Sequence, residues 1–399
     1  MSSKPVILGG NHILLDSVPL TQPQITGSSA IMRRFQHILD SGTLTKGQYL
    51  VDFEDKLGSY LGVDNAMGVS SCTTGLILAL KALKLTGEVI LPSFTFSATA
   101  AAVVANGLTP VFVDCDPDTF NIDPSAVELA ITPNTSAIIA VHIFGNPAPV
   151  DDLELIAAKR NLKLIFDAAH GFGSLLDGRT LGANGDVEVF SCSPTKLLVS
   201  GEGGVVATNI PEIAESVRMG REYGNPGDYN TRFAGLNGRM SEFHAAVGIE
   251  SLSNLERNAE KRNQLAKLYK QQLSNLPGLH FQKVLPGNRC SFKDFGVAID
   301  SQTFGLGRDE FAEALNYEGI QTRPYYDPPV HRQTAYARYY TQGDGGLPVT
   351  EKLAESILCL PMSSLMTELL VEKICKCIFR IHTHRHDLQE RSKIELIAA

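Results

Sequence analysis

Short apolar runs alternate with helix-like patterns between residues 65 and 205 of this chain. Apolar runs bounded by turn residues predict buried strands at 89–92, 110–114, 137–142, 163–166 and 187–190. Apolar positions at helical spacing predict helices at 73–84, 97–105 and 151–160. Strands that alternate with helices predict a mainly parallel sheet covered by helices on both faces. In such sheets ligands bind beyond the carboxyl ends of the strands.

The pattern of apolar and polar positions changes after residue 240. From there we expect a smaller α/β domain that packs on the first one. We place the domain boundary between residues 255 and 256, so that the domains are 1–255 and 256–399. The stretch 224–238 is rich in Gly and Asn and predicts a long functional loop. Further predictions are one long helix or a broken pair at 241–276, a strand at 292–299, a helix at 307–317 and one amphipathic helix at 366–390.

Composition and charge limit the possible functions. Hydrophobic residues make up 43% and charged residues 20%, which is typical of a globular protein with an ample core. The net charge of −8 argues against a nucleic-acid partner. Seven scattered cysteines without a Cys-x-x-Cys pair indicate free thiols and no metal site. The sequence has neither a signal-peptide pattern nor an apolar run of the roughly 20 residues that span a membrane. We therefore expect a cytoplasmic protein without membrane contact.

Lys196 is the first candidate for chemistry. It follows the apolar run 187–190 after a short turn of small residues, and a glycine-rich break at 201–204 comes next. A lysine at the mouth of a buried strand loses hydration, so its pKa falls and its neutral amine can form a Schiff base. Most lysines are solvated surface groups, so this position alone proves little.

Asp167 strengthens the interpretation of Lys196 because it also follows a predicted strand. A buried carboxylate requires a partner, and a protonated pyridine nitrogen is a suitable one. Taken alone, Asp167 is more readily explained as a turn or helix-cap residue. Three residues later, His170 could bind a cofactor's phenolic oxygen or stack nearby, although a lone histidine is more often a core residue. Together with Lys196, the segment favours a pyridoxal phosphate site.

Other segments suit the remaining parts of such a cofactor. Small residues at 70–75 precede a predicted helix, and free amides at a helix start form a phosphate seat. Plain helix capping explains the same segment equally well. Ser191 could donate to the same phosphate. Phe94 or Phe96 could stack on a flat ring, although such aromatics usually belong to the core. The Pro-rich stretch 323–331 suits a polar or anionic substrate or, with equal weight, a rigid surface loop.

From Gly9 to about residue 385 the chain resembles the DegT/DnrJ/EryC1/StrS aminotransferases. This resemblance implies a fold-type I, pyridoxal phosphate-dependent enzyme of α/β class. Its large domain would contain a mainly parallel seven-stranded sheet, and a smaller α/β domain would follow. Family members mostly act on keto sugars attached to a nucleotide. The motifs occur in the family's order at 92–99, 110–119, 121–124, 141–145, 167–173, 191–196, 201–204 and 237–242.

The resemblance also implies roles for single residues. Lys196 matches the lysine that forms the Schiff base and later moves the proton, and Asp167 matches the aspartate at the pyridine nitrogen. Asn237 matches an asparagine that reaches the phosphate of the neighbouring subunit, which implies a homodimer with shared active sites. The other matches are His170 near the phenolic oxygen, Cys72, Thr73 and Ser191 at the phosphate, Phe96 on the ring, and Tyr325, His331 and Arg239 on the substrate side.

Two departures from the family pattern affect the site. Cys72 replaces a usual glycine, and phosphate binding through backbone amides survives this change if φ is negative. Residues 192–193 are Cys-Ser where the family commonly has Phe-His, so the phosphate side could have a different shape. The retained Lys196 disfavours the branch in which a histidine takes this position and the enzyme dehydrates its substrate.

These features predict amine transfer from glutamate, or glutamine, to a keto sugar. A pyridoxamine phosphate form would carry the amine between the two half-reactions. The segments 86–92 and 166–170 look similar to C-4 aminotransferases of dTDP-sugar pathways, so dTDP-4-keto-6-deoxyhexose is the expected acceptor. The alternatives are amination at C-3 of the sugar, a keto-cyclitol acceptor, or a pyridoxal-binding regulatory protein without turnover.

Overall fold

The computed structural model describes residues 4–25, 27–340 and 346–398, and the side chains up to residue 391. The helices in these ranges are α1 Ser28–Ser41, α2 Gln48–Leu61, α3 Cys72–Ala82, α4 Ser97–Ala105, α5 Pro124–Ala130, α6 Val150–Arg160, α7 Pro211–Gly220, α8 Glu242–Leu252, α9 Leu255–Leu273, α10 Ser301–Phe304, α11 Arg308–Tyr317, α12 Pro348–Ser356, α13 Glu368–Thr383 and α14 Arg385–Ala398. Short 3₁₀ turns occur at Val6–Leu8, Ile143–Gly145, Val330–Arg332 and Ala337–Tyr339.

The strands form one large sheet and two small ones. They are β1 Asn65–Val69, β2 Glu88–Pro92, β3 Thr109–Val113, β4 Thr135–Val141, β5 Lys163–Ala168, β6 Leu175–Leu176, β7 Arg179–Thr180, β8 Val187–Ser191, β9 Gly204–Thr208, β10 Leu279–Phe281, β11 Phe295–Ile299 and β12 Ile357–Leu360. The large sheet has seven strands in the order β1-β9-β8-β5-β4-β2-β3. Only β9 runs antiparallel to its neighbours in that sheet, which confirms the mainly parallel architecture.

Both faces of the large sheet are buried, as continuous apolar strands require. Along β2, Val89 and Leu91 pack into one cluster with α3, α4 and α7, and Ile90 packs into another with α5 and α6. A third cluster joins α2 and α8 to the large sheet. The predicted class of parallel sheet with helices on both sides is therefore confirmed.

A second sheet, antiparallel and in the order β10-β11-β12, packs on α9, α11 and α13. Helix α9 connects the two parts. Its first turns place Leu255 and Ala259 against the large-sheet cluster, and its later turns place Tyr269 and Leu273 in the small-sheet cluster. Because one helix serves both cores, the division between residues 255 and 256 stays a prediction.

Several predicted elements need correction. The helix predicted at 366–390 is wrong as a single element, because α13 ends and α14 begins around His384, whose φ of −100° and ψ of 21° break the helical path. The strand predicted at 292–299 starts only at Phe295, since Phe292 has a φ of 46°. The stretch 241–276 is the broken pair α8 and α9. The stretch 224–238 is the predicted loop, with only an isolated bridge at Asn237 and a neighbouring one from Arg239.

Candidate active site

The carboxyl ends of the central strands meet at one edge of the large sheet and bring the candidate residues together. Asp167 is the fifth residue of β5 and lies opposite Val141 on one side and Val189 on the other. Lys196 lies five residues beyond the end of β8. Because β9 runs antiparallel to β8, its first residue, Gly204, lies at this same edge, opposite Ser191. The residues between 191 and 204 therefore form a loop that lies over the edge.

Asp167 is a buried carboxylate held by two donors. The Thr99 hydroxyl donates to Oδ2 at 2.7 Å, and the Ala169 amide donates to Oδ1 at 3.1 Å. Burial raises the pKa of this carboxyl, while the two hydrogen bonds and the Lys196 amine oppose the rise. In the described part of the chain no cationic side chain lies within ion-pair distance of Asp167. The site thus contains a buried carboxylate that lacks a charged protein partner.

The Lys196 amine lies in the same electrostatic environment. Burial is the main cause that lowers its pKa to about 8, and the Lys293 ammonium acts in the same direction, while Asp294, Cys72 and Asp167 act in the opposite direction. A substantial fraction of the amine is therefore neutral near physiological pH, which is the form that attacks a carbonyl. The expected depression of the lysine pKa is present in the structure.

His170 is buried with its tautomer fixed by the backbone. The Phe144 amide donates to Nδ1 at 3.1 Å, so Nδ1 is unprotonated and Nε2 carries the hydrogen. Burial, together with the Lys196 and Lys293 ammonium groups, holds the pKa of this imidazole well below its usual range. His170 is therefore a neutral ring that presents one N–H donor.

The start of α3, which is the predicted anion seat, has a capped first turn with amides that lack a helical acceptor. Ser71 caps the helix by accepting the Thr74 amide at 3.1 Å, and the amides of Cys72 and Thr73 fall in the first turn, where a helix has no acceptor of its own. Gly204 explains part of the glycine-rich motif, because a Cβ there would lie 2.5 Å from the Cys72 nitrogen. Strand β9 can approach this turn only with a glycine at its first position.

Cys72 keeps ordinary backbone geometry although it stands where the family usually has glycine. Its φ is not positive, so its amide remains available. Its thiol lies 3.6 Å from the Val189 carbonyl and 4.0 Å from Asp167 Oδ1. Burial and the nearby Asp167 carboxylate raise the pKa of the thiol well above its usual range. Ser191 is also buried, at the end of β8, where its hydroxyl accepts the Ser193 amide at 3.4 Å.

The two phenylalanines of the 92–99 motif have different environments. Phe94 is fully buried among Phe120, Phe144 and Tyr326, so it belongs to the core. Phe96 is 60% exposed, and its ring centre lies 6.4 Å from that of Tyr326. Of the two, only Phe96 is accessible to a ligand. Tyr325 stacks on Tyr326 at 5.5 Å.

His331 lies in a network that connects two segments of the protein. Its Nδ1 lies 2.6 Å from the Ser93 hydroxyl, and its Nε2 lies 3.3 Å from Glu351 Oε1. The His331 side chain is only 1% exposed. Both ring nitrogens thus have protein partners, and a substrate contact by this residue stays a prediction. The contacts hold the 323–331 segment against the end of β2.

Asn237 and Arg239 lie beside the anion seat through their backbone, but their side chains have other surroundings. The Ser70 amide donates to the Gly238 carbonyl at 2.8 Å. Asn237 is exposed. Arg239 pairs with Glu222 at 2.9 Å and lies over the Tyr223 ring. The Arg239 side chain lines a separate cavity of about 570 Å³. Among the described residues, no contact joins the Arg239 side chain to Lys196.

Sequence reasoning missed three residues that shape the site. Thr99 holds Asp167, and Lys293 with Asp294 forms a buried ion pair that acts on Lys196. The signal for the pair was a Lys-Asp dipeptide inside the otherwise apolar run 290–299, where a charged pair is unexpected unless it is matched.

Comparison with known proteins gives the family. The family model described as the DegT/DnrJ/EryC1/StrS aminotransferase family matches residues 26–379. The chain belongs to this family of aminotransferases. Within the DegT/DnrJ/EryC1/StrS family, an Escherichia coli protein named dTDP-4-amino-4,6-dideoxy-D-glucose transaminase is 34% identical over 91% of this chain and 98% of its own length. A Streptomyces venezuelae protein named dTDP-3-amino-3,4,6-trideoxy-alpha-D-glucose transaminase is 38% identical over 82% of this chain and 85% of its own length.

Solved structures agree with the family assignment. DesI, crystallised in the presence of its TDP-sugar product, has a TM-score of 0.91 at 34% identity and covers 98% of this chain and 99% of its own. NtdA from Bacillus subtilis with bound cofactor PMP has a TM-score of 0.81 at 30% identity over 90% of this chain and 83% of its own. The fold-type I architecture expected for this aminotransferase family is therefore confirmed. No helix in the described ranges is long and apolar enough to cross a membrane.

Proposed function

We propose that this aminotransferase uses pyridoxal 5′-phosphate to transfer an amine from L-glutamate to a nucleotide-linked keto sugar. The observation that carries the proposal is the pairing of a partly neutral Lys196 with a buried Asp167 that lacks a cation. A protonated pyridine nitrogen supplies that missing charge, and the aldehyde of the same cofactor suits the lysine. The NtdA structure with bound pyridoxamine phosphate supports the choice of cofactor.

The remaining site residues fit the other groups of pyridoxal phosphate. The first-turn amides of α3, at Cys72 and Thr73, and the Ser191 hydroxyl would hold the phosphate, which the positive end of the helix dipole also favours. The neutral His170 would donate its Nε2 hydrogen to the phenolic oxygen. Phe96 would cover the exposed face of the ring. When bound, the protonated pyridine ring withdraws electrons from the carbon that loses its proton.

Residues of the protein would hold one proton at the pyridine nitrogen and transfer another to and from the reacting carbon. Asp167 would hold the pyridine nitrogen protonated, and Thr99 would keep that carboxylate oriented toward it. Lys196 would take the proton from the donor's carbon and return one to the carbon that receives the amine, since its lowered pKa suits both steps near neutral pH. Lys196 would thus transfer the proton first in the reaction with glutamate and then in the reaction with the keto sugar.

The acceptor is proposed from relatives whose names specify dTDP sugars. The Escherichia coli relative matches over almost the whole chain, and its name describes a 4-amino sugar, which supports a dTDP-4-keto-6-deoxyhexose and amination at C-4. Amination at C-3 is the second candidate, because the Streptomyces venezuelae relative has a higher identity and its name describes a 3-amino sugar. Tyr325, His331 and Arg239 remain the residues proposed for the substrate side.

We further propose a cytoplasmic homodimer in which Asn237 reaches the phosphate site of the partner subunit. Asn237 is exposed in the single chain, and its backbone lies beside the chain's own anion seat. A two-fold axis near this segment would bring each Asn237 toward the other subunit's seat. In such a dimer neither active site would be complete without the other chain.

Incubation with pyridoxal phosphate, L-glutamate and dTDP-4-keto-6-deoxyglucose tests the function. We expect stoichiometric 2-oxoglutarate and an aminated dTDP sugar, with NMR assigning the nitrogen to C-4, and no product from Lys196→Ala. Nitrogen at C-3 would support the second candidate. Turnover of a keto-cyclitol, and of no keto sugar, would indicate that the amine acceptor is the cyclitol and not a sugar. Cofactor binding without release of 2-oxoglutarate from L-glutamate, whichever acceptor is added, would contradict an aminotransferase activity and indicate a regulatory protein.

A further inference from the structure

The Thr95 hydroxyl is a buried polar group beside the candidate active site. Thr95 is only 1% exposed and Thr99 is 0% exposed, so both hydroxyls are shielded from bulk solvent. Their two oxygens lie 3.1 Å apart. Because a buried hydroxyl gives up its bonds to water, it needs a partner within the protein. The partner of Thr95 is thus the same side chain of α4 that holds the Asp167 carboxylate.

The direction of the hydrogen bond between the two threonines follows from the second contact of Thr99. The Thr99 hydroxyl has one hydrogen, and it donates this hydrogen to Oδ2 of Asp167 at 2.7 Å. In the contact with Thr95 the Thr99 oxygen therefore accepts, and the Thr95 hydroxyl donates. The three groups form a chain in which each hydrogen points toward the carboxylate. In such a chain each bond polarises the next one and strengthens it.

Ser93 holds Thr95 in the position that makes this bond. The Ser93 amide donates to the Val113 carbonyl at 3.1 Å, and the Ser93 carbonyl accepts the amides of Thr95 and Val330 at 3.0 and 3.1 Å. The Ser93 hydroxyl accepts the His331 amide at 3.1 Å. Thr95 therefore follows a residue that is bound to β3 and to the segment 330–331, and its backbone has a fixed place before α4.

Helix capping does not account for the Thr95 hydroxyl. A capping side chain accepts an amide of the first helical turn. The N-cap residue of α4 is Phe96, which has no side-chain cap bond. Within the described ranges, the contact of the Thr95 hydroxyl is with the side chain of Thr99 and not with an amide of α4. The hydroxyl therefore acts on the group that holds Asp167.

We propose that Thr95 is a positioning residue for the cofactor, whose hydroxyl donates to Thr99 and thereby strengthens the bond from Thr99 to Asp167. A carboxylate that is held in this way makes a stronger ion pair with the ring nitrogen of pyridoxal phosphate. Among the described contacts, Thr95 reaches Asp167 only through Thr99. The inference rests on the proposed cofactor and on the proposed role of Asp167, and it is independent of the sugar.

Cofactor affinity in matched variants tests the role of Thr95. Pyridoxal phosphate is titrated into the full chain, prepared without cofactor, with fluorescence as the signal. Thr95→Val keeps the shape of the side chain and removes the hydroxyl. It should weaken binding by about two- to five-fold, because the bond to the carboxylate is weakened and not removed. Thr95→Ser retains the hydroxyl and should bind as tightly as the wild type.

Two comparisons separate an effect through Thr99 and Asp167 from a general effect on the fold. In a Thr99→Val background no hydroxyl connects Thr95 with the carboxylate, so the further change Thr95→Val should leave the affinity unchanged. The second comparison uses an analogue of pyridoxal phosphate that has C–H in place of the ring nitrogen and cannot pair with Asp167. The wild type and Thr95→Val should bind this analogue equally well.

Urea denaturation shows whether Thr95→Val is folded, and Thr95→Ala replaces it if it is not. Equal affinity of the wild type and the folded variant for pyridoxal phosphate overturns the role of Thr95, even in an enzyme that aminates the sugar. An equal loss of affinity for the analogue also overturns it. The expected differences in affinity, in a protein whose wild type does not turn over any sugar, support the role of Thr95 and contradict the proposed function. A wild type that does not bind pyridoxal phosphate contradicts both.

Discussion

The Thr99 hydroxyl donates a 2.7 Å hydrogen bond to Oδ2 of Asp167 inside the core. This bond opposes the rise in the carboxyl pKa that burial causes. The Ala169 amide holds the second oxygen, Oδ1, at 3.1 Å, so both oxygens of the carboxylate have fixed positions. The strength of any ion pair made by Asp167 therefore depends on a neutral side chain of α4.

Thr99→Val should weaken cofactor binding by about 10- to 100-fold, because a hydrogen bond to a charged group contributes roughly 1.5–3 kcal/mol. Without the donor the Asp167 pKa rises further, so the ion pair with the pyridine nitrogen weakens. Fluorescence titration of cofactor-free protein measures the affinity. Thr99→Ser keeps the hydroxyl and should bind close to wild-type strength. Equal affinity of the valine and serine variants would disprove this role.

Lys196 should impose a pH dependence on the capture of pyridoxal phosphate by cofactor-free protein. Its pKa is lowered to about 8, so about half of the amine is neutral at that pH, and the neutral form is lost as pH falls further. The rate of appearance of the visible absorbance of the lysine-bound cofactor should rise with pH, reach half of its maximum at about pH 8 and level off about one pH unit higher. Because the His170 pKa is well below its usual range, no second inflection should come from that residue near neutrality. A rate that still climbs steeply beyond pH 9 would refute the lowered pKa.

Mixed dimers test the sharing of sites by Asn237. We expect Lys196→Ala and Asn237→Ala homodimers to be strongly impaired. In a hybrid of the two, one site would combine an intact Lys196 with an intact Asn237 from the other chain, so activity should return to about half that of a wild-type dimer. If Asn237 served its own subunit, no hybrid site would be intact. Activity of purified, differently tagged hybrids distinguishes the two arrangements.

Glu242 should contribute to stability as a cap of α2. Its carboxylate accepts the amides of Gly47, Tyr49 and Leu50 at 2.9–3.0 Å while it is buried. Glu242→Ala leaves these first-turn donors without an acceptor and should lower the free energy of unfolding by about 2–4 kcal/mol. Glu250→Ala, which removes a partly exposed ion pair with Arg34, should cost less than about 1 kcal/mol. Urea denaturation compares the two variants, and equal losses would argue against the capping role.

The elements that could be predicted are those whose own residues decide their environment. Strands β2, β4 and β5 are continuous apolar runs, and helix α6 carries acidic residues at its start and basic residues at its end. Strand β9 was not predicted, because its five residues have no signal beyond a Val-Val pair and its direction depends on neighbours far along the chain. The helix at 366–390 was predicted too long because the helical pattern continues across a local break at His384.

The residues of the candidate site could also be predicted only in part. Asp167 and Lys196 could be predicted because the first lies close to the carboxyl end of a strand and the second lies shortly after one, and the carboxyl ends of parallel strands meet at one edge. Thr99 could not, because only the packing of α4 on the sheet brings its hydroxyl to Asp167. Lys293 lies nearly a hundred residues from Lys196 in sequence, and its effect depends on burial that a sequence does not display. Charges that act at a distance in the folded chain require coordinates.

Strand β9 reverses direction beside β8, and the chain between them returns to the edge it left. The Cys192 amide binds the Gly203 carbonyl at 2.9 Å, and the Ser200 amide binds the Cys192 carbonyl at 2.8 Å, so the loop is closed at its base. If β9 ran parallel to β8, Lys196 would lie on a crossover that has to span the whole length of the sheet. On a closed hairpin, the residues around the lysine can diverge between related enzymes while the order of strands stays the same. The place of Lys196 at the sheet edge is therefore fixed by the closure of its own loop, at the buried Cys192, and not by the length of a crossover.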